Sequence, residues 1–208
     1  MLKELLNRYP CLTVCEAEIE KAIQTLIGCY EGGGKVMTCG NGGSCADADH
    51  IVGELMKGFL KKRPLSQQQK QAMQARCPEL EDSLLCKLQG GLPALSLCSL
   101  TALNTAFCND VDPQLIYAQG VLAMGKAGDV LICMSTSGNA ANVHAAAKVA
   151  KSLGITVIGL TGCGGGKLLH TADICIRVPE QETFKIQELH LPVYHCLCAA
   201  VEAHFFQD

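Results

Sequence analysis

Residues 35–44 read KVMTCGNGGS, and the rest of the chain is organised around them. Its apolar first half predicts a buried strand, and its glycine-rich second half predicts a tight turn that opens a helix. Glycine lets the backbone approach a ligand closely, and the free N–H groups at a helix N-terminus attract an anion. A strand, a glycine turn and a helix in this order indicate a phosphate site, although many turns of this kind have only a structural role.

The helix predicted at 45–59 carries three ionisable side chains on one face. Asp47, His50 and Glu54 are spaced three and four residues apart, so they lie along the same side of the helix. At this spacing, His50 and Glu54 can both reach one metal ion or one substrate. A phosphate turn and a His/Glu pair on the same helix together indicate a site for a phosphorylated sugar.

The composition indicates a single folded domain. The chain has 208 residues, of which 49% are hydrophobic and 18% charged, so it can bury a full core and is not disordered. A net charge of −3 gives no support for a nucleic-acid partner. No stretch approaches the roughly 20 apolar residues of a membrane span, and the N-terminus lacks a signal-peptide core. We therefore expect a soluble cytoplasmic protein whose 14 cysteines are reduced.

Apolar strands and helices alternate along the rest of the chain. Further strands are predicted at 93–98, 129–134, 155–160 and 173–178, and helices at 101–108, 113–124, 140–153 and 182–205. Strands that are apolar throughout and separated by helices predict a parallel sheet covered on both faces. Such a sheet binds its ligands at the carboxyl ends of its strands.

Two segments lie outside this alternation. The pattern before residue 34 is helical but interrupted by Pro10, which predicts two helices or one broken helix. Residues 65–91 begin with a polar run of low complexity, and we interpret them as an insertion. The insertion is either a mobile flap over the site or a plain surface excursion.

A second polar turn follows the strand predicted at 129–134. Ser135, Thr136 and Ser137 provide three hydroxyls, together with backbone N–H groups ahead of a helix. This arrangement suits a phosphate without a fixed positive charge, and the alternative is an ordinary N-capping turn. The glycine run at 164–166 and the histidine at position 190 are expected to be structural.

Six motifs together resemble those of the sugar isomerase (SIS) domain family. They are GNGGS at 40–44, HxxxE at 50–54, STSGNxxNV at 135–143, LTG at 160–162, IRVP at 176–179, and IQELH at 186–190 with His195 behind it. The resemblance covers about 35–63 and 92–208. It implies an α/β three-layer sandwich with a five-stranded parallel sheet, formed by residues 35–208 with the insertion at about 65–91. A helical segment at 1–34 would be added at the N-terminus.

The same resemblance implies an aldose–ketose isomerase, with sedoheptulose 7-phosphate converted to a heptose 7-phosphate through an enediol. It implies one zinc ion with four ligands, His50, Glu54, Gln187 and His195. Glu54 would be the base that moves a proton between C1 and C2, and His195 the acid or ring-opening group. The substrate would be held by Asn41, Gly42, Gly43, Ser44, Ser135, Thr136 and Ser137, together with Glu54 and Gln187.

The implied zinc ligands raise a geometric problem. Gln187 and His195 are eight residues apart, which is about 12 Å along a straight helix. Two side chains at that separation barely meet at one ion, so either they come from different subunits or one of them moves. The resemblance also implies a homotetramer with active sites at subunit contacts, which would make assembly a condition of activity.

Four positions depart from the usual pattern of the family. Gly58 stands where an arginine is usual, Leu100 replaces an aspartate, Ala140 a hydroxyl residue, and Phe184 a frequent acidic residue. The catalytic set is complete and the shell that holds the substrate is altered. The departures therefore bear on the identity of the sugar more than on the chemistry.

Two other functions stay open. One is a non-catalytic SIS protein that binds a phosphosugar or another protein, as a relative that associates with the bacterial replication initiator does. That relative lacks the glutamate and the final histidine, whereas this chain has Glu54 and His195, which favours an enzyme. The other is a SIS enzyme with different chemistry, such as a sugar-phosphate lyase, which the altered shell keeps open.

Overall fold

The computed structural model describes residues 1–206, and a five-stranded parallel sheet forms its centre. The strands are β1 Val36–Cys39, β2 Ala94–Ser96, β3 Val130–Met134, β4 Thr156–Thr161 and β5 Ile174–Arg177, in the order β2-β1-β3-β4-β5. Val36 of β1 pairs with Ala94 on one side and with Val130 on the other. Because the strand order reverses at β1, a ligand is expected in the crevice between the carboxyl ends of β1 and β3.

Helices connect the strands and cover both faces of the sheet. They are α1 Leu2–Arg8, α2 Glu16–Glu31, α3 Gly43–Met56, α4 Gln67–Arg76, α5 Asp82–Leu85, α6 Thr101–Asp110, α7 Ile116–Met124, α8 Ala141–Ser152, α9 Leu168–Thr171 and α10 Thr183–Phe205. Two predicted elements are shortened by 3₁₀ turns, the strand at 93–98 by Leu97–Ser99 and the helix at 113–124 by Pro113–Leu115. None of the helices within residues 1–206 combines the length and hydrophobicity that a membrane span requires.

The sheet separates two hydrophobic layers, because successive strand residues point to opposite faces. In β3, Ile132 and Met134 belong to the layer with α2, α3 and α10, whereas Leu131 and Cys133 belong to the layer with α7 and α8. Every residue of β1 and β3 is buried, as expected for central strands covered on both sides. The predicted α/β three-layer sandwich with a five-stranded parallel sheet is confirmed.

The N-terminal segment forms two helices separated at Pro10. Helix α1 ends at Arg8, a 3₁₀ turn starts at Pro10, and α2 begins at Glu16, since proline has no N–H group to continue a helical ladder. Leu12 and Ile19 are fully buried and belong to the same apolar layer as α10. The N-terminal helices therefore pack in the same layer as α10 and help to stabilise it.

Helix α3 ends earlier than predicted. It covers Gly43–Met56 instead of 45–59, and the residues after Met56 form a loop. The carboxylate of Glu202 on α10 holds this loop, because it accepts hydrogen bonds from the backbone N–H groups of Phe59, Leu60 and Lys61 at 2.8, 2.7 and 3.1 Å. The predicted boundary was wrong because a contact with a distant part of the chain outweighs the local helical pattern.

Arg63 completes the junction between α3 and α10. Its Nε donates to Glu202 at 2.8 Å, and its terminal nitrogens donate to the carbonyls of Leu55 and Glu54 at 2.7 and 3.0 Å. Both charged side chains are 0% exposed. Burial alone would raise the pKa of the Glu202 carboxyl, but the loop N–H groups and Arg63 hold that pKa below its ordinary value. The junction thus ties the end of α3 to α10.

The insertion leaves and re-enters the fold at one point. Pro64 and Gln89 form an isolated antiparallel bridge, and the N–H group of Gly90 donates to the carbonyl of Arg63 at 2.7 Å. Between these ends, α4 buries none of its own residues and α5 buries Leu85. The segment is a surface excursion with a closed neck, and its action as a flap stays a prediction.

Replacing Glu202 by glutamine is expected to destabilise the fold by about 3–5 kcal/mol, because the Arg63 charge would remain buried without a counter-charge. Urea denaturation at fixed protein concentration measures this change. The matched control is Glu182→Gln, which removes an exposed carboxylate paired with Lys185 and should cost less than about 1 kcal/mol. Equal losses in the two variants would contradict a special role for the buried pair.

His190 on α10 is a fully buried residue. Within residues 1–206 neither ring nitrogen makes a hydrogen bond of normal geometry, although the backbone of Thr161 lies beside the ring. Burial lowers the pKa of this imidazole to about 4, and the Thr161 backbone acts in the opposite direction. His190 is therefore a neutral core residue, as expected from the sequence.

This burial makes stability depend on pH. The unfolded chain takes up a proton at about pH 6.5, whereas folded His190 does so only at about 4. The stabilisation is complete above this range and is lost as the pH falls through it. Across that range the wild type should lose on the order of 3 kcal/mol more than His190→Leu does. Denaturation at a series of pH values measures the two slopes.

The control is His170→Gln, at an exposed histidine, which should keep the wild-type slope. A slope in His190→Leu identical to that of the wild type would overturn the assignment.

Candidate active site

Two polar turns lie at the crevice between the carboxyl ends of β1 and β3. The amide side chains of Asn41 and Asn142 connect the first turn to the start of α8, since each amide nitrogen donates to the other residue's amide oxygen at 2.9 Å. The hydroxyl of Tyr117 donates to the carbonyl of Gly40 and lies 3.3 Å from Oδ1 of Asn41. These bonds hold the two sides of the crevice in a fixed relation.

The turn after β1 requires its glycines. Gly42 has a φ of +57°, which favours glycine, and a Cβ on Gly40 would lie 2.6 Å from the carbonyl oxygen of Ser44. No side chain of the described structure caps α3 at this end. The N–H groups of Ser44 and Cys45 already donate to the carbonyls of Asn41 and Gly42 at 3.1 and 3.0 Å. Within the described chain, the backbone N–H groups left for an anion are therefore those of Gly42 and Gly43. Of the predicted binding residues in this turn, Asn41, Gly42 and Gly43 are exposed, whereas Ser44 is buried.

The turn after β3 uses part of its hydrogen-bonding capacity internally. Ser135 is buried, and its Oγ accepts the N–H group of Ala140 at 3.4 Å. The Oγ of Ser137 accepts the N–H group of Asn139 at 3.2 Å, and Thr136 is half-buried. A hydroxyl that accepts one bond still has its proton to donate. Capping and anion binding are therefore compatible in this turn.

The glycine run at 164–166 is structural, as expected. It packs so closely on the second turn that a Cβ on Gly138 would overlap the carbonyl oxygen of Gly165. Next to it, Oδ1 of Asn139 accepts the N–H group of Lys167 at 3.1 Å. These contacts were not predicted from the sequence. They hold the turn after β3 against the loop that contains the glycine run.

His50 and Glu54 form a close pair on α3. His50 Nε2 lies 3.2 Å from Glu54 Oε1, and Lys57 Nζ lies 3.4 Å from Glu54 Oε2. The side chain of Glu54 is 12% exposed and that of His50 is 42% exposed. The prediction that residues four apart on this helix share one face is confirmed.

His195 on α10 reaches the same place. Its ring centroid lies 5.0 Å from that of His50 and 5.3 Å from that of Phe59. Its Nε2 is buried and has no hydrogen-bond partner in the described part of the chain. Burial lowers the pKa of His195, the neighbouring His50 lowers it further, and Glu54 acts in the opposite direction. The lowered pKa favours the neutral form of the imidazole.

Gln187, the fourth predicted ligand, lies against the first turn. A Cβ on Gly43 would be 2.5 Å from Nε2 of Gln187, so the amide covers this glycine. The structure thus groups His50, Glu54 and His195 and places Gln187 beside the glycine turn. Only the absence of a side chain at Gly43 leaves room for the amide there.

The grouped donors suit zinc by type, but one chain does not complete a site. Imidazole nitrogens and carboxylate oxygens are common zinc ligands, and a cation would satisfy the unpaired Nε2 of His195. Across residues 1–206, however, no three His, Cys, Asp or Glu side chains are arranged to hold a metal ion. A bound ion therefore requires a shift of one side chain or a donor from another copy of the chain.

Two further side chains contact this group. The hydroxyl of Tyr194, a residue only 1% exposed, donates to Asp47 Oδ1 at 3.1 Å and lies 3.0 Å from His50 Nδ1. Burial raises the pKa of Asp47, and the bond from Tyr194 opposes that rise. The helical pattern places Asp47 on the same face as His50. No signal in the sequence pointed to Tyr194.

The positions that depart from the family pattern lie in the loop after α3, at two helix starts and on α10. Gly58 is in the loop after α3, where a Cβ would be 2.5 Å from the carbonyl oxygen of Lys61, so this loop has no room for a side chain there. Leu100 and Ala140 precede α6 and α8, at helix starts that no side chain of the described chain caps. Phe184 is 56% exposed on α10.

Comparisons with known proteins agree with this architecture. The profile of the SIS domain family matches residues 11–83 and 89–162. The phosphoheptose isomerase of Methylibium petroleiphilum is 42% identical over 198 residues, which cover 94% of this chain and 86% of that protein. The phosphoheptose isomerase of Rhodospirillum rubrum is 40% identical over 188 residues, with coverage of 90% and 86%.

Solved structures give the same result. A phosphoheptose isomerase from Neisseria gonorrhoeae superposes with a TM-score of 0.76 at 30% identity, covering 97% of this chain and 94% of that one. A phosphoheptose isomerase from Francisella tularensis has a TM-score of 0.76 at 31% identity, with coverage of 93% and 90%. The chain therefore belongs to the SIS domain family and, within it, to the phosphoheptose isomerases.

Proposed function

We propose that this chain converts sedoheptulose 7-phosphate to an aldose heptose 7-phosphate through an enediol. The observation that carries the proposal is the grouping of the Glu54 carboxylate with the imidazoles of His50 and His195, beside two turns suited to phosphate. A carboxylate base next to a neutral imidazole is the pair that such an isomerisation needs. The similar proteins of M. petroleiphilum and R. rubrum are phosphoheptose isomerases.

The two turns would anchor the phosphate. The helix dipole at the start of α3, where no described side chain caps the helix, favours an anion. The side-chain amide of Asn41 is already hydrogen-bonded to that of Asn142. Asn41 would therefore shape the turn, and the backbone of Gly42 and Gly43 would contact the ligand. The hydroxyls of Ser135, Thr136 and Ser137 would donate from the opposite side. Anchoring the phosphate would hold C1 and C2 at a fixed distance from the acid–base residues.

Glu54 would carry the proton between the two carbons. Its carboxylate removes a proton from C1 of the ketose, and the C1–C2 double bond forms as O2 gains a proton. The carboxyl then returns its proton to C2 while O1 loses one, which makes C1 the aldehyde carbon. His195 would give the proton to O2 and take one from O1. The lowered pKa of His195 favours the neutral imidazole that this exchange uses.

We propose one zinc ion per site, with His50, Glu54, Gln187 and His195 as its ligands. When bound, zinc would supply Lewis-acid polarisation of the sugar oxygens. The buried, unpaired Nε2 of His195 supports this assignment. Gln187 contacts the glycine turn, so bringing the four donors together needs either a side-chain shift or a second copy of the chain.

We propose that the chain acts in the cytoplasm as a homotetramer with its sites at subunit contacts. Large apolar side chains near the site are exposed, among them Met56 at 54%, Leu60 at 62% and Phe184 at 56%. A contact between copies would remove them from water. Such a contact would also explain why a single chain does not bring all four proposed zinc ligands together.

Glu54→Gln is expected to lower turnover of sedoheptulose 7-phosphate by at least about 10²-fold, because an amide cannot take up the proton from C1. Assembly, followed by analytical ultracentrifugation, should be unchanged. The control Glu20→Gln alters an exposed carboxylate on α2 and should keep wild-type turnover. Substantial residual activity in Glu54→Gln would remove Glu54 as the base.

Freshly purified protein is expected to contain stoichiometric zinc, and a chelator should abolish turnover until zinc is restored. His195→Ala should lower both zinc content and rate, since it removes one donor. Elemental analysis and a coupled isomerase assay on the same samples measure both quantities. Zinc without turnover would point to a different sugar phosphate. Neither metal nor turnover after adding zinc back would favour a non-catalytic binding protein.

A further inference from the structure

We infer that Tyr194 is a positioning residue that fixes the tautomer of His50 by relaying a hydrogen bond from Asp47. The inference rests on the proposed function only in taking His50 as a ligand of the site. It concerns a contact between α3 and α10 that neither the motifs nor the helical spacing indicated. Three groups take part, the Asp47 carboxylate, the Tyr194 hydroxyl and the His50 imidazole.

The direction of the bonds follows from counting protons. A tyrosine hydroxyl has a single proton, and a carboxylate can only accept. The Tyr194 hydroxyl donates to Asp47 Oδ1 at 3.1 Å. The same oxygen lies 3.0 Å from His50 Nδ1, so with its own proton already used it must accept from an Nδ1–H group. His50 is therefore held with its proton on Nδ1.

The consequence appears at the other side of the ring. With Nδ1 protonated, Nε2 of the neutral imidazole carries a lone pair, and it lies 3.2 Å from Glu54 Oε1. A lone pair and a carboxylate oxygen at that distance repel each other unless a positive charge lies between them, and the nearby Lys57 ammonium contacts the other carboxylate oxygen, Oε2, at 3.4 Å. The relay therefore prepares His50 and Glu54 to receive a cation. Donation of the remote N–H group to an oxygen acceptor is the common way to orient a histidine that ligates a metal.

Packing supports a positioning role. The ring of Tyr194 contacts that of His50 edge-on, with centroids 5.5 Å apart, and that of His195 edge-on at 5.0 Å. Tyr194 is almost completely buried, so its hydroxyl has little freedom to choose other partners. One side chain thus sets the planes of both histidines, and through its hydroxyl it also sets the proton on one of them.

The test measures the His50 tautomer directly, by ¹⁵N NMR of histidine-labelled, zinc-free protein at mildly alkaline pH. The wild type should show the Nδ1–H form. Tyr194→Phe keeps the ring and removes the acceptor, so His50 should move to the Nε2–H form, which can donate to Glu54. Asp47→Ala should shift the tautomer in the same direction, because it frees the tyrosine proton to point at Nδ1. This second variant gives the answer if Tyr194→Phe fails to fold.

Zinc affinity provides an independent readout. Titration calorimetry with zinc alone should show binding about 10- to 100-fold weaker in Tyr194→Phe than in the wild type. The matched control is Tyr30→Phe, which removes a buried hydroxyl that has no partner among residues 1–206. That control should leave both the tautomer and the affinity unchanged.

The outcomes separate this inference from the proposed function. An Nε2–H tautomer in the wild type, or unchanged tautomer and zinc affinity in Tyr194→Phe, would overturn the relay even in an active isomerase. An Nδ1–H tautomer that is lost in both variants would establish the relay even if sedoheptulose 7-phosphate is not turned over. In that case the failure would belong to the proposed substrate or reaction alone.

Discussion

The buried ion pair between Arg63 and Glu202 is the interaction on which the arrangement of the site depends. The guanidinium binds carbonyls in the last turn of α3, and the carboxylate binds the N–H groups of the loop that follows. Because Glu202 belongs to α10, the pair joins the helix of His50 and Glu54 to the helix of Tyr194. The histidine, carboxylate and tyrosine contacts between those two helices presuppose this junction. Its charges are shielded from solvent, so added salt would weaken it little.

The fold could be predicted because each strand and helix has a recognisable local pattern of apolar residues. Apolar strands separated by helices allow only a parallel sheet covered on both faces, and the glycine turn marks where one strand ends. The end of α3 could not be predicted in this way. Its sequence continues a helical pattern past Met56, and the carboxylate that stops the helix lies near the other end of the chain. Boundaries set by tertiary contacts of this kind leave no local signal.

Local sequence likewise predicts one part of the site and gives no indication of another. The pairing of His50 with Glu54 follows from their spacing on one helix. The turn with three hydroxyls is recognised because residues 135–137 are consecutive in the sequence. Tyr194 was missed because a tyrosine in an apolar helix looks like a core residue, and only its partners on α3 give its hydroxyl a role. The reciprocal amides of Asn41 and Asn142 are likewise visible only once two separate turns are brought together.

The closed neck of the insertion allows the segment between Pro64 and Gln89 to be exchanged for another one. Pro64 and Gln89 already lie side by side, so a segment of another length between them adds only the slowly growing entropy of loop closure. A fluorescent protein or an affinity module whose own termini are close could be spliced in at this point. Because Oε1 of Gln89 accepts the N–H group of Gly58 at 2.7 Å, such a graft would adjoin the loop that Glu202 holds.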